Sequence, residues 1–78
     1  MYLNIGNDII IYWEEILFIL TEKQGLLNKE VIQGIEDKSL ENYDSNKTNS
    51  FIFTERKGRK KIYASSFTTG TLCKRFLP

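Results

Sequence analysis

Ser50-Phe51-Ile52-Phe53-Thr54-Glu55-Arg56-Lys57-Gly58-Arg59-Lys60-Lys61-Ile62-Tyr63-Ala64-Ser65 is the stretch whose reading decides the fold. Branched and aromatic residues run from Ser50 to Glu55 and resume from Lys61 to Ser65, a composition that suits a pleated surface. Between them, Gly58 is free of the Cβ constraint that a tight reversal imposes. The stretch therefore predicts a β-hairpin with a cationic tip, since five of the six residues from Arg56 to Lys61 are basic.

Upstream, Tyr2-Leu3-Asn4-Ile5 and Ile9-Ile10-Ile11-Tyr12 flank Gly6-Asn7-Asp8, which predicts another hairpin because Gly and Asn tolerate positive φ. Trp13-Glu14-Glu15 reads as a turn or a single helical turn. Ile16-Leu17-Phe18-Ile19-Leu20 is continuous enough for a strand buried on both faces or against a neighbouring subunit, and a helix fits the same residues. Asn28 caps a helix through about Asp37, with Val31, Ile32 and Ile35 on its apolar side and Gly34 weakening it. Lys38 to Ser50 is a polar loop, long for a compact domain and so either mobile or functional. Downstream, Thr68 or Thr69 caps a helix to about Phe76, with Leu72 and Phe76 one turn apart. The elements describe an α+β fold: one small domain over residues 1–78, built of short antiparallel hairpins with a middle helix and a C-terminal helix.

A hydrophobic content of 41% with 13% aromatics is too high for a disordered chain. At 78 residues there is room for one core, and a domain this small buries only about 60% of its unfolded surface, so self-association is expected. The single cysteine, Cys73, cannot form an internal disulfide, which fits a reducing cytoplasm. Glu14 and Glu15 interrupt the apolar run from Ile9 to Leu20 and no basic residue precedes it, so it reads as neither signal nor membrane segment.

Charge is sharply divided along the chain. Met1 to Asn46 holds three lysines against nine acids, net −6, while Lys47 to Pro78 holds eight cations against Glu55 alone, net +7. A concentrated basic segment attracts polyanions and gains entropy by releasing counterions from a phosphate backbone. Three readings of Arg56, Lys57, Arg59, Lys60 and Lys61 follow: lysines that keep an edge hairpin soluble, a phosphate-binding site, or a clamp on the acidic half of a neighbouring subunit. Lys74 and Arg75 read as partners of a helix C-terminal dipole, and Cys73 as a small hydrophobe beside Leu72. Trp13 reads as core or subunit interface, and Tyr63 as a packing residue; neither it nor Tyr43 is expected to stack on bases. Adjacent Glu14 and Glu15 do not converge on one substrate, histidine is absent, and no phosphate loop, nucleophile elbow or metal-ligand spacing occurs. No enzyme activity, catalytic residue, cofactor or metal is expected.

The opening Met1-Tyr2-Leu3-Asn4-Ile5-Gly6-Asn7-Asp8 and the closing Ile62-Tyr63-Ala64-Ser65-Ser66-Phe67-Thr68-Thr69-Gly70-Thr71-Leu72-Cys73-Lys74-Arg75 together resemble the ends of the small bacterial extracellular matrix regulatory proteins of the RemA/RemB family, more closely its RemB branch. Glu14-Glu15-Ile16-Leu17-Phe18-Ile19 resembles a family segment in which a charged residue precedes an apolar strand, whereas 22–46 match poorly. The resemblance implies an α+β subunit that assembles into a homo-oligomeric ring and, for the RemA branch, a regulator that binds double-stranded DNA upstream of matrix and osmoprotection operons. A RemA-type relative is a further implied partner. That branch carries an arginine-rich run before the strand that here begins near Ser50. The matching positions are Asn46-Lys47-Thr48-Asn49, where only Lys47 is charged. The expected DNA contacts are therefore Lys47 and the tip residues Arg56, Lys57, Arg59, Lys60 and Lys61, with roughly 16 Å of strand between the two groups. The competing expectation is an oligomeric adaptor that binds protein and not DNA.

Overall fold

The computed structural model describes residues 1–77, with Phe76 and Leu77 described by their backbone. Strands β1 (Tyr2–Asn4) and β2 (Ile10–Tyr12) pair antiparallel with Leu3 opposite Ile11, the first predicted hairpin. Asn7 and Asp8 make the reversal at φ 52° and 62°, and the Ile9 amide donates to the Gly6 carbonyl at 3.0 Å. Two central residues at positive φ make a primed turn, whose twist matches that of the flanking strands. Trp13–Glu15 is one turn of 3₁₀ helix, leading directly into β3 (Ile16–Thr21).

Of the two forms open for Ile16 to Leu20, the strand is the one adopted, and of the two kinds of burial expected for it, cover on both faces within the protomer does not occur. Leu17 is 50% and Phe18 45% exposed. β3 lies at the edge of its sheet and its register shifts between Ile16 and Phe18, so Leu17 has no partner opposite it in the ladder. Trp13 is 51% exposed and not a core residue of the protomer.

A short helix, α1 (Glu22–Gly25), follows where the sequence reading placed no element. Thr21 and Gln24 form a capping box: the Gln24 amide donates to the Thr21 hydroxyl at 3.2 Å, and the Thr21 amide to the Gln24 side chain at 3.0 Å. Gly25 ends this turn against the Phe51 ring, which any Cβ there would overlap. Helix α2 (Lys29–Asp37) starts as predicted, with Asn28 accepting from the Glu30 and Val31 amides at 2.9 and 3.1 Å. Gly34, expected only to weaken α2, is buried, and a Cβ would lie 2.6 Å from Leu40 Cδ2. Its smallness is what lets Leu40 seat. The helix stops on Lys38 at φ 59°, and hydrogen bonds from Ser39 hold the Asp37 carboxyl below its ordinary pKa.

Strands β4 (Ser50–Arg56) and β5 (Arg59–Ser65) form the second predicted hairpin, one or two residues longer at the tip than expected. Lys57 and Gly58 alone make its turn, at φ 52° and 79°. Helix α3 (Thr69–Lys74) is capped by the Thr68 hydroxyl, which accepts from the Thr71 amide at 3.2 Å. It stops two residues before the predicted end, because Arg75 leaves the helix to donate its Nε–H to the Asn4 carbonyl at 3.1 Å. Phe76–Leu77 then adds β6 beside β1. The expected packing of the Phe76 side chain with Leu72 lies outside the described residues. Leu72 is fully buried, but Cys73 is exposed and not the small core hydrophobe expected: consecutive helix positions lie about 100° apart, and Leu72 takes the inward one.

The strands make two antiparallel sheets, ordered β2-β1-β6 and β3-β4-β5. Strand β4 is central and buried from Ser50 through Thr54, because both faces of its sheet are covered. On one face Ile52 packs with Leu3, Ile5, Ile11 and Leu72 from the first sheet and α3. On the other, Phe51, Phe53 and Ala64 pack with Val31, Ile35 and Leu40 of the α2 side. Buried Ser65 joins the sheets by donating to the Ile5 carbonyl at 2.9 Å and accepting the Phe67 amide at 3.1 Å. The polar loop is not a free excursion: Glu41 bridges the outer edge of β5, its amide donating to Ile62 and its carbonyl accepting from Ala64, and Asn49 ties it to Ser66. Among the described residues, no helix is long and apolar enough to cross a membrane.

Candidate nucleic-acid interface

The basic residues stand where the second hairpin outruns its sheet. Ile16, the first residue of β3, pairs with Thr54, so Glu55 to Lys60 continue as a two-stranded arm beyond the edge strand. Residues directly opposite each other in an antiparallel ladder share a face. Ile52, Thr54 and Arg56 oppose Tyr63, Lys61 and Arg59, and Phe53 and Glu55 oppose Ile62 and Lys60. The arm therefore presents Arg56, Arg59 and Lys61 from the face that the first sheet covers further down, Lys60 and Glu55 from the α2 face, and Lys57 at the apex. All are exposed.

Two of the five cations meet carboxylates. Arg56 Nε lies 3.6 Å from Glu15 Oε1, and Lys61 Nζ lies 3.8 Å from Glu41 Oε1 and 5.7 Å from the Tyr63 ring centroid. Exposed pairs at such distances contribute about 0–1 kcal/mol each. Among the described residues, Lys57, Arg59 and Lys60 make no ion pair, and with Glu55 included the region keeps two net positive charges. On the Arg56 face lies a cleft of about 290 Å³ lined by Glu15, Thr54, Arg56, Arg59, Lys60, Lys61 and Tyr63.

Lys47 does not join this group. It sits in a turn closed by the Asp44 carbonyl, which accepts from the Lys47 and Thr48 amides, and lines a polar recess with Asn7, Asn42, Asp44 and Ser66. That turn precedes Ser50, so the length of β4, roughly 20 Å at ~3.3 Å per residue, separates it from the arm. Arg75 is also drawn into structure: besides its bond to Asn4, its guanidinium lies 4.4 Å from the Phe67 ring centroid. Lys74 is exposed in the last turn of α3.

Sequence reasoning missed Glu15 and Glu41 as neighbours of the cations. Glu15 arrives through the bulged register of β3 on β4, and Glu41 through a single bridge from the polar loop. Neither connection has a signature in local composition. The chain matches no protein-family model. No curated protein matches it either.

Proposed function

We propose that the protein is a RemB-like regulator of extracellular matrix genes, acting in the cytoplasm as a homo-oligomeric ring that holds duplex DNA by its phosphates. The contact is the Glu55–Lys60 arm with the adjoining Lys61, presented once per subunit, its cations being Arg56, Lys57, Arg59, Lys60 and Lys61. The observation that carries this reading is that the arm is charged against its own folding preference. Arg56 stands directly opposite Arg59, a like-charge pair that weakens a ladder, and Lys57 occupies a positive-φ position that Asn or Gly would fill more easily. Side chains held at a local cost point toward a function, here attraction of an anion. A two-stranded ribbon is also narrow enough for the major groove. Weak single contacts gain affinity when repeated around an assembly, because each later contact forms at high effective concentration.

Fluorescence anisotropy of labelled duplexes of unrelated sequence, at two salt concentrations, tests the reading. The expected outcome is binding that weakens steeply with salt, and a paired substitution Arg59→Glu with Lys60→Glu that weakens all duplexes about equally. Absence of binding at low salt overturns it.

A second reading rests on a different observation. The open edge of β3 exposes Leu17 and Phe18, with Phe18 stacked on Phe53 at 4.4 Å between ring centroids. An apolar open edge suits strand addition by a protein, which supports an oligomeric adaptor with no DNA contact of its own. In that case the Arg59 and Lys60 reversal changes oligomer size while the wild-type protein ignores DNA.

A further inference from the structure

The cleft on the Arg56 face of the arm has an internal occupant. Glu15 is carried by the 3₁₀ turn Trp13–Glu15 and its side chain is only 21% exposed, whereas Arg56 is 69% exposed. The ion-pair partner of Glu15 is Arg56, with Nε at 3.6 Å, beyond hydrogen-bond range. The carboxylate thus lines the cleft beside Arg56 without a close bond to it.

The cations themselves are arranged for a larger anion. Arg56 and Arg59 are cross-strand partners, so their Cβ atoms lie about 5 Å apart, and Lys61 is the next residue but one along the same face. Lys61 is engaged by Glu41 at the outer edge of β5, so the two cross-strand guanidinium forks are the groups on this face open to an anion, and together they match the several oxygens of a phosphoryl group better than the two of a carboxylate. Thr54 does not compete for the site, since its hydroxyl donates to the Lys61 carbonyl at 3.0 Å.

We propose that this cleft is a phosphoryl-binding subsite and that Glu15 is its built-in competitor. In the free protein the Glu15 carboxylate offsets the repulsion between Arg56 and Arg59. An incoming phosphoryl oxygen takes over both guanidinium groups and displaces it. No covalent step is involved. This inference rests on the anion-binding reading of the arm and deepens it by naming the face, the partner residues and the group that must move aside. The phosphoryl group belongs either to a nucleic-acid backbone or to a small phosphorylated solute.

The test uses the full chain, with two probes and one substitution. Pyrophosphate is titrated into isotope-labelled wild-type protein while the arginine side-chain Nε–H resonances are followed. The same duplex is then titrated into wild type and Glu15→Gln by anisotropy, with thermal unfolding as the check on folding. Pyrophosphate is expected to shift the Arg56 and Arg59 resonances and to leave that of Arg75 in place. Glu15→Gln is expected to bind the duplex about threefold more tightly, the scale set by removing one competing exposed ion pair. If pyrophosphate moves these two arginines while the duplex fails to bind, the subsite stands, its ligand is a small phosphorylated solute, and the DNA reading fails. If the duplex binds but pyrophosphate leaves both arginines unmoved and Glu15→Gln binds no more tightly, the DNA reading stands and the subsite is overturned. The wild-type arginine resonances decide the matter even where Glu15→Gln unfolds.

Discussion

Lys57 holds φ at 52° at the apex of the arm, a conformation that costs a lysine about 1–2 kcal/mol relative to right-handed backbone. Asn relieves most of that cost, because its short polar side chain is suited to the first central position of a primed turn. Lys57→Asn should therefore stabilise the protein by about 0.5–1 kcal/mol in thermal or urea unfolding while weakening duplex affinity. A variant that gains stability and keeps full affinity removes Lys57 from the interface. Gly25 and Ser65 are governed by space and by hydrogen bonding instead. Gly25→Ala pushes a methyl group into the Phe51 ring, an overpacking that should cost about 1–3 kcal/mol in chemical denaturation. Ser65→Ala strips the Ile5 carbonyl and the Phe67 amide of their partner inside the molecule, with an expected loss of about 1–3 kcal/mol and no direct effect on the arm.

At the scale of elements, the open β3 edge and the basic arm are separate surfaces, one apolar and one cationic. If the exposed edge is the assembly surface, Leu17→Lys places a charge on it without touching the core, and light scattering should report a smaller particle with an unchanged circular dichroism spectrum. An unaltered mass moves the assembly surface elsewhere. Both hairpins were legible because their turns carry residues suited to positive φ, Asn7 and Gly58, between runs of β-forming side chains. The Asn28 cap was legible for the same local reason. What escaped was contingent on distant parts of the chain. α1 is only four residues long, and its Thr21–Gln24 signature stands where the apolar run of β3 dominates the pattern. The early end of α3 depends on Arg75 reaching Asn4, 71 residues away in sequence. Composition marks 38–50 as a polar loop, either mobile or functional, and of these mobility is opposed by the backbone bonds that tie Glu41 to β5. For the candidate site, the cations of the arm were visible as a run of residues, but their division between two faces follows from the Arg56 to Arg59 register, and the approach of Glu15 from a bulge. Lys47, grouped with them by resemblance, lies beyond the other end of β4.

For the whole molecule, the charge division along the sequence is only partly kept in space. Five of the eleven cations cluster at the tip of the second hairpin, but Glu15 and Glu41 from the acidic half reach Arg56 and Lys61 there. Two net charges on one arm are too few for tight binding of a polyanion, so the proposed DNA contact requires several arms acting together. Size-exclusion chromatography with multi-angle light scattering, run with and without a long duplex at about 50 and about 200 mM salt, tests this most directly. The expected result is a particle several times the 9.1 kDa of one chain, eluting with the duplex at low salt and largely released at high salt. A monomer, or an oligomer that stays apart from the duplex at both salt concentrations, contradicts it.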